Sequence, residues 1–369
     1  MAEPSVPTPT VTGTVPTPTG TVRTPTRPTP TVRGAGQVDH AAAIRSAADQ
    51  LDFAAARVYA IPLRTRFRGI LVREGVVLPG PAGWGEFCPF AEYDDAEAAG
   101  WLATAVEQAV LGWPAPLRDR VPVNVTVPAV DPDRAHRIVI DSGCATAKVK
   151  VADHPNSLDE DRARVAAVRT ALGPAGAVRV DANAVWDVET AVRHIEALDL
   201  AAGGLQYVEQ PCAELAELVE VRRRVGVPIA ADESIRRAED PTRVALAGAA
   251  DVAVIKCTPL GGVRRALRVA GEAGLPCVVS SALETGVGLA AELALAGALP
   301  GLELACGLGT LSLLTGDLLA DSPRVVDGHL PVPTRVPEPD PELLDRYAHP
   351  DPARARWWLD RLHRVRARL

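Results

Sequence analysis

The stretch TAKVKVADHPNSLDEDRARVAAVRTALGPAGAVRVDAN, residues 146–183, holds two short apolar runs on either side of a longer segment with helical periodicity. TAKVKV (146–151) alternates, so as a strand it puts Thr146, Lys148 and Lys150 on one face and Ala147, Val149 and Val151 on the other. SLDEDRARVAAVRTALG (157–173) reads as a helix, and VRVDAN (178–183) as the next strand. A strand, a helix and a strand of this length form a unit that crosses over between parallel strands. The valine face calls for burial. The other face then holds two ammonium groups beside a core, which costs free energy unless something nearby needs them.

The pattern extends in both directions. Apolar runs recur at VNVTV, YVEQ, PIAADES, VAVIK, CVVSS and LELA, with helical stretches such as GGVRRALRVAGEAG between them. Eight such runs over 121–310 predict an α/β fold of the (β/α)8 type, a TIM barrel. Its final unit is short or imperfect. Ahead of it, RVYAIPL and GILVREGVVLPGPAGWGEF read as strands joined by Gly/Pro turns. DDAEAAGWLATAVEQAVLGW reads as a helix capped by Asp94 or Asp95. Residues 52–120 are therefore expected to form a small α+β capping domain, 121–310 the barrel, and 311–369 a C-terminal segment returning to the cap. Residues 1–36 are a Pro/Thr-rich tract with VPTPT at 6–10 and 15–19. It lacks large apolar residues, so a disordered tail is expected, and it lacks the apolar core of a signal peptide.

Composition narrows the function. The 369 residues carry a formal net charge of −7, which disfavours a nucleic-acid partner. No apolar run is long enough to span a bilayer. Six scattered cysteines without paired spacing suggest reduced thiols in a cytosolic protein. The seven histidines show no zinc-binding spacing. Oligomeric state is left open. Lysine stands at only three positions, 148, 150 and 256, and the other 36 of the 39 basic residues are arginine. Lysine can lose its proton in a suitable environment and arginine cannot. Three lysines in a chain that otherwise uses arginine look chosen for titration, although lysine also guards exposed strand edges.

Barrel enzymes carry their chemistry at the C-terminal ends of the strands. There the chain places Lys150, Asp181, Glu209, Asp232 with Glu233, and Lys256, separated by 31, 28, 23 and 24 residues. One acid at a strand end can simply cap the next helix. Three on adjacent strands repel one another unless a cation lies among them, and oxygen ligands favour Mg2+ or a similar hard ion. The other reading is a buried salt-bridge network, a poor source of stability for its desolvation cost.

The order K-x-K, D-x-N, E-x-P, D-E, K on successive strands resembles the enolase superfamily, in its muconate lactonizing enzyme subgroup. Three further stretches are similar to the o-succinylbenzoate synthase family within it: VYAIPLRTRFRGILVREGVVLPGPAGWGEFCPFAEYDD (58–95), SSALETGVGLAAELALAGALP (280–300) and ELLDRYAHP with RARWWLDRL near the C-terminus. The resemblance covers about residues 52–360. It implies Asp181, Glu209 and Asp232 as ligands of Mg2+, or of Mn2+ in its place. It implies Lys150 and Lys256 facing each other across a small carboxylate substrate, with Lys148, Asn183 and Glu233 in support. The reaction implied is a dehydration that starts with proton removal α to a carboxylate. N-succinylamino acid racemases, muconate cycloisomerases and a non-catalytic ligand-binding barrel remain alternatives. A dipeptide epimerase is disfavoured, because LELACGLG lacks the expected D-x-D. Arg64, Arg66 and Arg68 in RTRFRG offer guanidinium groups to a second substrate carboxylate, or form a solvated basic face. Ser280, Ser281 and the ETGVG turn offer hydroxyl and N–H groups, or form an ordinary strand-to-helix turn.

Overall fold

A computed structural model describes residues 40–236 and 248–369. The Pro/Thr tract lies outside them. The chain opens with helix α1 (His40–Ala48) and three antiparallel strands, β1 (Arg57–Phe67), β2 (Ile70–Gly80) and β3 (Gly83–Phe87), in the order β1-β2-β3. Helix α2 (Ala99–Val106) follows. Just ahead of it, the Asp94 carboxylate accepts the backbone N–H groups of Ala96 and Glu97, both at 2.8 Å. That caps the turn leading in, whereas the helix itself starts after Ala98 without a side-chain cap, so neither Asp94 nor Asp95 caps it as expected.

Eight parallel strands then alternate with helices: β4 (Arg120–Val127), β5 (Thr146–Lys150), β6 (Ala177–Asp181), β7 (Tyr207–Glu209), β8 (Ile229–Ala231), β9 (Val252–Ile255), β10 (Cys277–Val279) and β11 (Cys306–Gly309). Each pairs with the next, and β11 pairs with β4. A Ser280–Gly307 bridge joins β10 to β11 and closes the (β/α)8-type barrel. The larger helices on its outside are α3 (Pro132–Ser142), α4 (Leu158–Leu172), α5 (Val188–Ala202), α6 (Leu215–Arg224), α7 (Val263–Ala273) and α8 (Gly286–Ala298). After β11 comes only a short turn at Leu311–Leu313. Strand β12 (His329–Pro331) adds antiparallel to β4, and helix α9 (Pro352–Arg366) packs against the first two cap strands and α2.

Both faces of the parallel strands are buried, as their near-continuous apolar runs require. Outward residues such as Val125, Val149 and Val180 join the apolar layer under the helices. Inward residues alternate with them. Low in the barrel the fully buried Arg179 donates to Gln206 (2.6 Å), Asn124 (3.1 Å) and the Ala305 carbonyl (2.6 Å). A second apolar cluster joins the cap, α9 and the start of α8 through Tyr59, Phe87, Trp101, Trp358, Leu283 and Val287.

The eighth strand departs from expectation. It lies at CGLG (306–309), immediately after LELA. A Cβ on Gly307 would come within 2.5 Å of Ser280 Oγ, and one on Gly309 within 2.7 Å of the Asn124 carbonyl. Closing the barrel here needs residues without side chains. A reading of strand propensity passes over these in favour of the bulkier run beside them.

Candidate active site

Register brings the charged strand ends together. Lys150 is the Cα partner of Asp181, and Asp181 of Glu209. Asp232 follows β8 directly, and Lys256 follows β9. The three carboxylates are buried, at 1–2 % exposure. Each is held by an ammonium group. Lys148 Nζ donates to both Glu209 oxygens at 2.8 and 2.9 Å and lies 3.4 Å from Asp181. Lys150 Nζ donates to Asp181 Oδ2 at 2.5 Å and to Asn183 Oδ1 at 2.8 Å. Lys256 donates to Asp232. Asn183 sits at φ +50°, and its N–H returns to Asp181 Oδ1 at 3.0 Å. That left-handed turn is why an Asn stands here.

The two neighbouring lysines differ electrostatically. Burial works against both charges. At Lys148 the facing Glu209 and Asp181 outweigh it and hold the ammonium well above its ordinary pKa. At Lys150 burial prevails over Asp181, the like charge of Lys148 adds to it, and the pKa falls below the ordinary value. Asp181 is buried too, yet Lys150 and Lys148 hold its carboxyl far below the usual range. Glu209 goes the other way: burial and the Asp181 charge push it up to about 7.

Among the described residues, no three His, Cys, Asp or Glu side chains converge closely enough to hold an ion as they stand. The donor chemistry nevertheless fits a hard divalent cation. Three buried carboxylates stand at neighbouring strand ends, and the repulsion that raises Glu209 is what such a cation relieves. Binding one requires the ammonium groups to give up carboxylate oxygens they now share.

A cavity of about 30 Å3 lies over these groups. Of the expected residues it is lined by Lys148, Lys150, Asp181, Asn183, Asp232, Lys256, Ser280, Ser281 and Arg68. Arg66 is absent from that lining, and Arg64 borders a different groove. Glu233 opens a short helical turn beside Asp232, and the contact to Lys256 is made by Asp232. The Ser281 hydroxyl is committed within its own turn: it donates to Glu284 (2.6 Å) and accepts from Leu283 N (2.8 Å) and Thr310 (2.9 Å). Ser280 Oγ has only a long 3.5 Å contact to the Gly307 carbonyl. The larger grooves, of 490 to 710 Å3, contain none of the three lysines.

Sequence reading missed three groups. The Phe67 ring, at the end of β1, lies over Lys150, with Nζ 5.4 Å from its centroid. Phe90 lines the cavity under Arg68, whose guanidinium carbon is 4.4 Å from the ring centre. Gln210 is fully buried, accepts the N–H groups of Asp232 (2.9 Å) and Ser234 (3.2 Å), and so fixes the turn that presents Asp232. Gln210 stood in the quoted YVEQ and was legible there. The two aromatic contacts join residues too far apart in the chain to pair by pattern.

An antiparallel cap on a (β/α)8-type barrel, with lysines and acids at the strand ends, defines the enolase-superfamily class. The comparisons agree. The family described as Enolase C-terminal domain-like matches residues 132–337, and Enolase N-terminal domain-like matches 58–109. The o-succinylbenzoate synthase of Thermobifida fusca is 62% identical over 311 residues, covering 84% of this chain and 96% of the relative. That of Mycolicibacterium smegmatis is 53% identical, covering 83% and 93%. Muconate lactonizing enzyme from Pseudomonas fluorescens, solved with muconolactone, superposes with a TM-score of 0.69 at 25% identity, covering 80% of this chain and 98% of that one. The chain belongs to the o-succinylbenzoate synthase family of the enolase superfamily. No helix among the described residues is long and apolar enough to cross a membrane.

Proposed function

We propose that this chain dehydrates 2-succinyl-6-hydroxy-2,4-cyclohexadiene-1-carboxylate to 2-succinylbenzoate, with Lys150 as the group that moves the proton. The observation that carries the assignment of Lys150 is its place: its ammonium lines the cavity at the strand end beside Asp181 and Asn183, under the Phe67 ring, and burial with the Lys148 charge lowers its pKa. Mg2+ held by Asp181, Glu209 and Asp232 would supply positive charge beside the substrate carboxylate, and Mn2+ has the same preference for oxygen ligands.

The chain's own residues divide the remaining work. Neutral Lys150 takes the proton α to the carboxylate, and the electron pair of the broken C–H bond moves into the carboxylate system. The same Lys150, now an ammonium, returns that proton to the departing hydroxyl on the same face. The C–O bond breaks, water leaves, and the ring becomes aromatic. Lys256, fixed by Asp232, stays charged and faces the developing negative charge from the other side. Lys148 keeps its proton, holds Glu209, and lowers the pKa of Lys150 by its charge. The Phe67 ring covers Lys150 and keeps water from its ammonium.

The test is turnover of the cyclohexadiene substrate beside N-succinylamino acids, by protein depleted of metal and then resupplied with Mg2+. Magnesium-dependent loss of the diene with formation of the aromatic product supports the reading. Racemisation of N-succinylamino acids without dehydration replaces it.

A further inference from the structure

Arg73 of β2 is 2 % exposed, yet its guanidinium has no carboxylate at hydrogen-bond distance among the described contacts. It spends its donors on three backbone carbonyls from two modules. Nε donates to the Leu283 carbonyl at 2.8 Å, and Nη2 to that of Ala282 at 3.2 Å and to that of Cys88. The first two belong to the turn between β10 and α8. The third lies at the end of the cap strand that leads to Phe90. The guanidinium carbon is also 4.6 Å from the centre of the Phe90 ring. Ala282, Leu283 and Phe90 all line the cavity above the lysines.

The turn it grips is under local strain, because Leu283 sits at φ +69°, where a branched side chain is disfavoured. Such a conformation persists only where the surroundings over-determine it. Glu86 of β3 grips the other end of the segment. It accepts from Thr285 N (3.1 Å), Thr285 Oγ1 (2.5 Å) and Gly288 N (2.7 Å), while Tyr59 donates to it at 2.5 Å. Arg73 thus takes carbonyls ahead of α8, and Glu86 takes N–H groups at its start, where negative charge is favoured.

We propose that Arg73 is a positioning residue for the reaction: by tying the Ser281–Leu283 turn to the Cys88–Phe90 segment, it sets the pocket wall against which the substrate packs. The inference rests on reading this cavity as the dehydratase site. Arg73 touches none of the lysines or strand-end carboxylates, so its contribution belongs to substrate fit. A planar fork can serve three carbonyls at once, and a single ammonium cannot. Arg73→Lys therefore keeps the buried charge and removes the geometry.

For Arg73→Lys, KM for the cyclohexadiene substrate should rise about tenfold or more while kcat stays within about threefold, the signature of lost binding with intact chemistry. Hydrogen exchange over residues 281–288 should quicken. Glu74→Gln is the control, because Glu74 ties the cap to the C-terminal segment through His349 (2.7 Å) and Arg354 (2.7 Å), away from the cavity. It should lower the melting temperature and leave KM unchanged. Phe90→Leu, which keeps the carbonyl clasp and removes the ring, should also raise KM. An unchanged KM in Arg73→Lys overturns the proposal, as does a kinetic change matching that of Glu74→Gln. If Arg73→Lys does not fold, an unchanged KM in Phe90→Leu overturns it. If wild-type protein fails to turn the substrate over, the functional reading fails, and unaltered exchange at 281–288 in Arg73→Lys then overturns the clasp separately.

Discussion

Replacing each facing lysine by arginine separates a proton-moving group from a fixed charge. A lysine of ordinary pKa, ~10.4, is neutral in roughly one molecule in 10³ to 10⁴ at pH 7. An arginine at ~12.5 or above is neutral in fewer than about one in 10⁵. Substitution at 150 therefore loses about two powers of ten from ionisation alone. Burial and the Lys148 charge lower the pKa of Lys150 and widen that gap. With the added misfit of a larger head group, Lys150→Arg should lose ~10³-fold or more in kcat. Lys256→Arg keeps its charge against Asp232, although the site is only 7 % exposed and leaves little room. It should lose ~10- to 100-fold, through misfit alone. The assay is dehydratase turnover of both variants at pH 7, with metal content measured on the same samples. Greater activity in Lys150→Arg would reverse the assignment of base and electrostatic partner. Equal, substantial activity in both would show that neither lysine moves the proton.

Chelation should abolish turnover and Mg2+ should restore it, and full activity in protein shown to be metal-free would remove Asp181, Glu209 and Asp232 from the ligand role. Asp161 accepts from Ala152 N (2.9 Å), Ser157 (2.7 Å) and the 4 % exposed Arg164 (2.6 Å). Asp161→Ala strands that buried guanidinium and should cost ~3–5 kcal/mol in urea unfolding, with a loss under ~1 kcal/mol contradicting the account. Burial and the nearby Glu284 push the Glu292 carboxyl up to about 8, so it stays protonated in the fold where an unfolded glutamate ionises. Its contribution to stability is thus complete below about pH 4.5 and is lost as pH rises to about 8, by at most ~1.4 kcal/mol per pH unit. The wild-type minus Glu292→Gln stability difference should show that slope in urea titrations, and a flat difference would refute it.

The site was legible in the sequence where chemistry and strand period coincide. Asp181, Glu209 and Lys256 each end or follow a β-run, and alternation alone places Lys148 and Lys150 on one face. The pairing among these groups was not legible. Strand order gives no hint that the Lys256 ammonium holds Asp232, a contact set by side-chain reach at a strand end. Arg64, Arg66 and Arg68 looked equivalent in RTRFRG, yet the turn at Arg68, with φ +47°, brings only that one to the cavity lining. The cap-to-barrel contacts through Arg73 and Glu86 span about 200 residues of chain, and no periodicity marks them.

The division between lysine and arginine also has a structural basis. The deeply buried arginines all bind backbone carbonyls, Arg164 and Arg179 alongside side-chain oxygens. Arg73 takes three carbonyls, and Arg361 of α9 takes those of Phe90 (3.2 Å) and Tyr93. Arg164 takes those of Val130 (2.7 Å) and Lys150 (3.1 Å), and Arg179 that of Ala305. A rigid fork that never loses its proton suits that task at any pH the protein meets. The described hydrogen bonds of the three lysine ammonium groups go to side-chain oxygens, those of Glu209, Asp181, Asn183 and Asp232, and to no backbone carbonyl. Those bonds can be exchanged, because an ammonium on a flexible stem can let go of a carboxylate when a cation or a substrate arrives. A lysine at position 179 would sit near the barrel floor with amide and carbonyl partners and a titratable charge. An arginine at position 150 would lock Asp181 and have no proton to exchange. The two lysines one residue apart in TAKVKV therefore divide the work: Lys148 keeps its charge and holds Glu209, and Lys150 sits where a proton can move, above a floor where Arg179 keeps charge fixed.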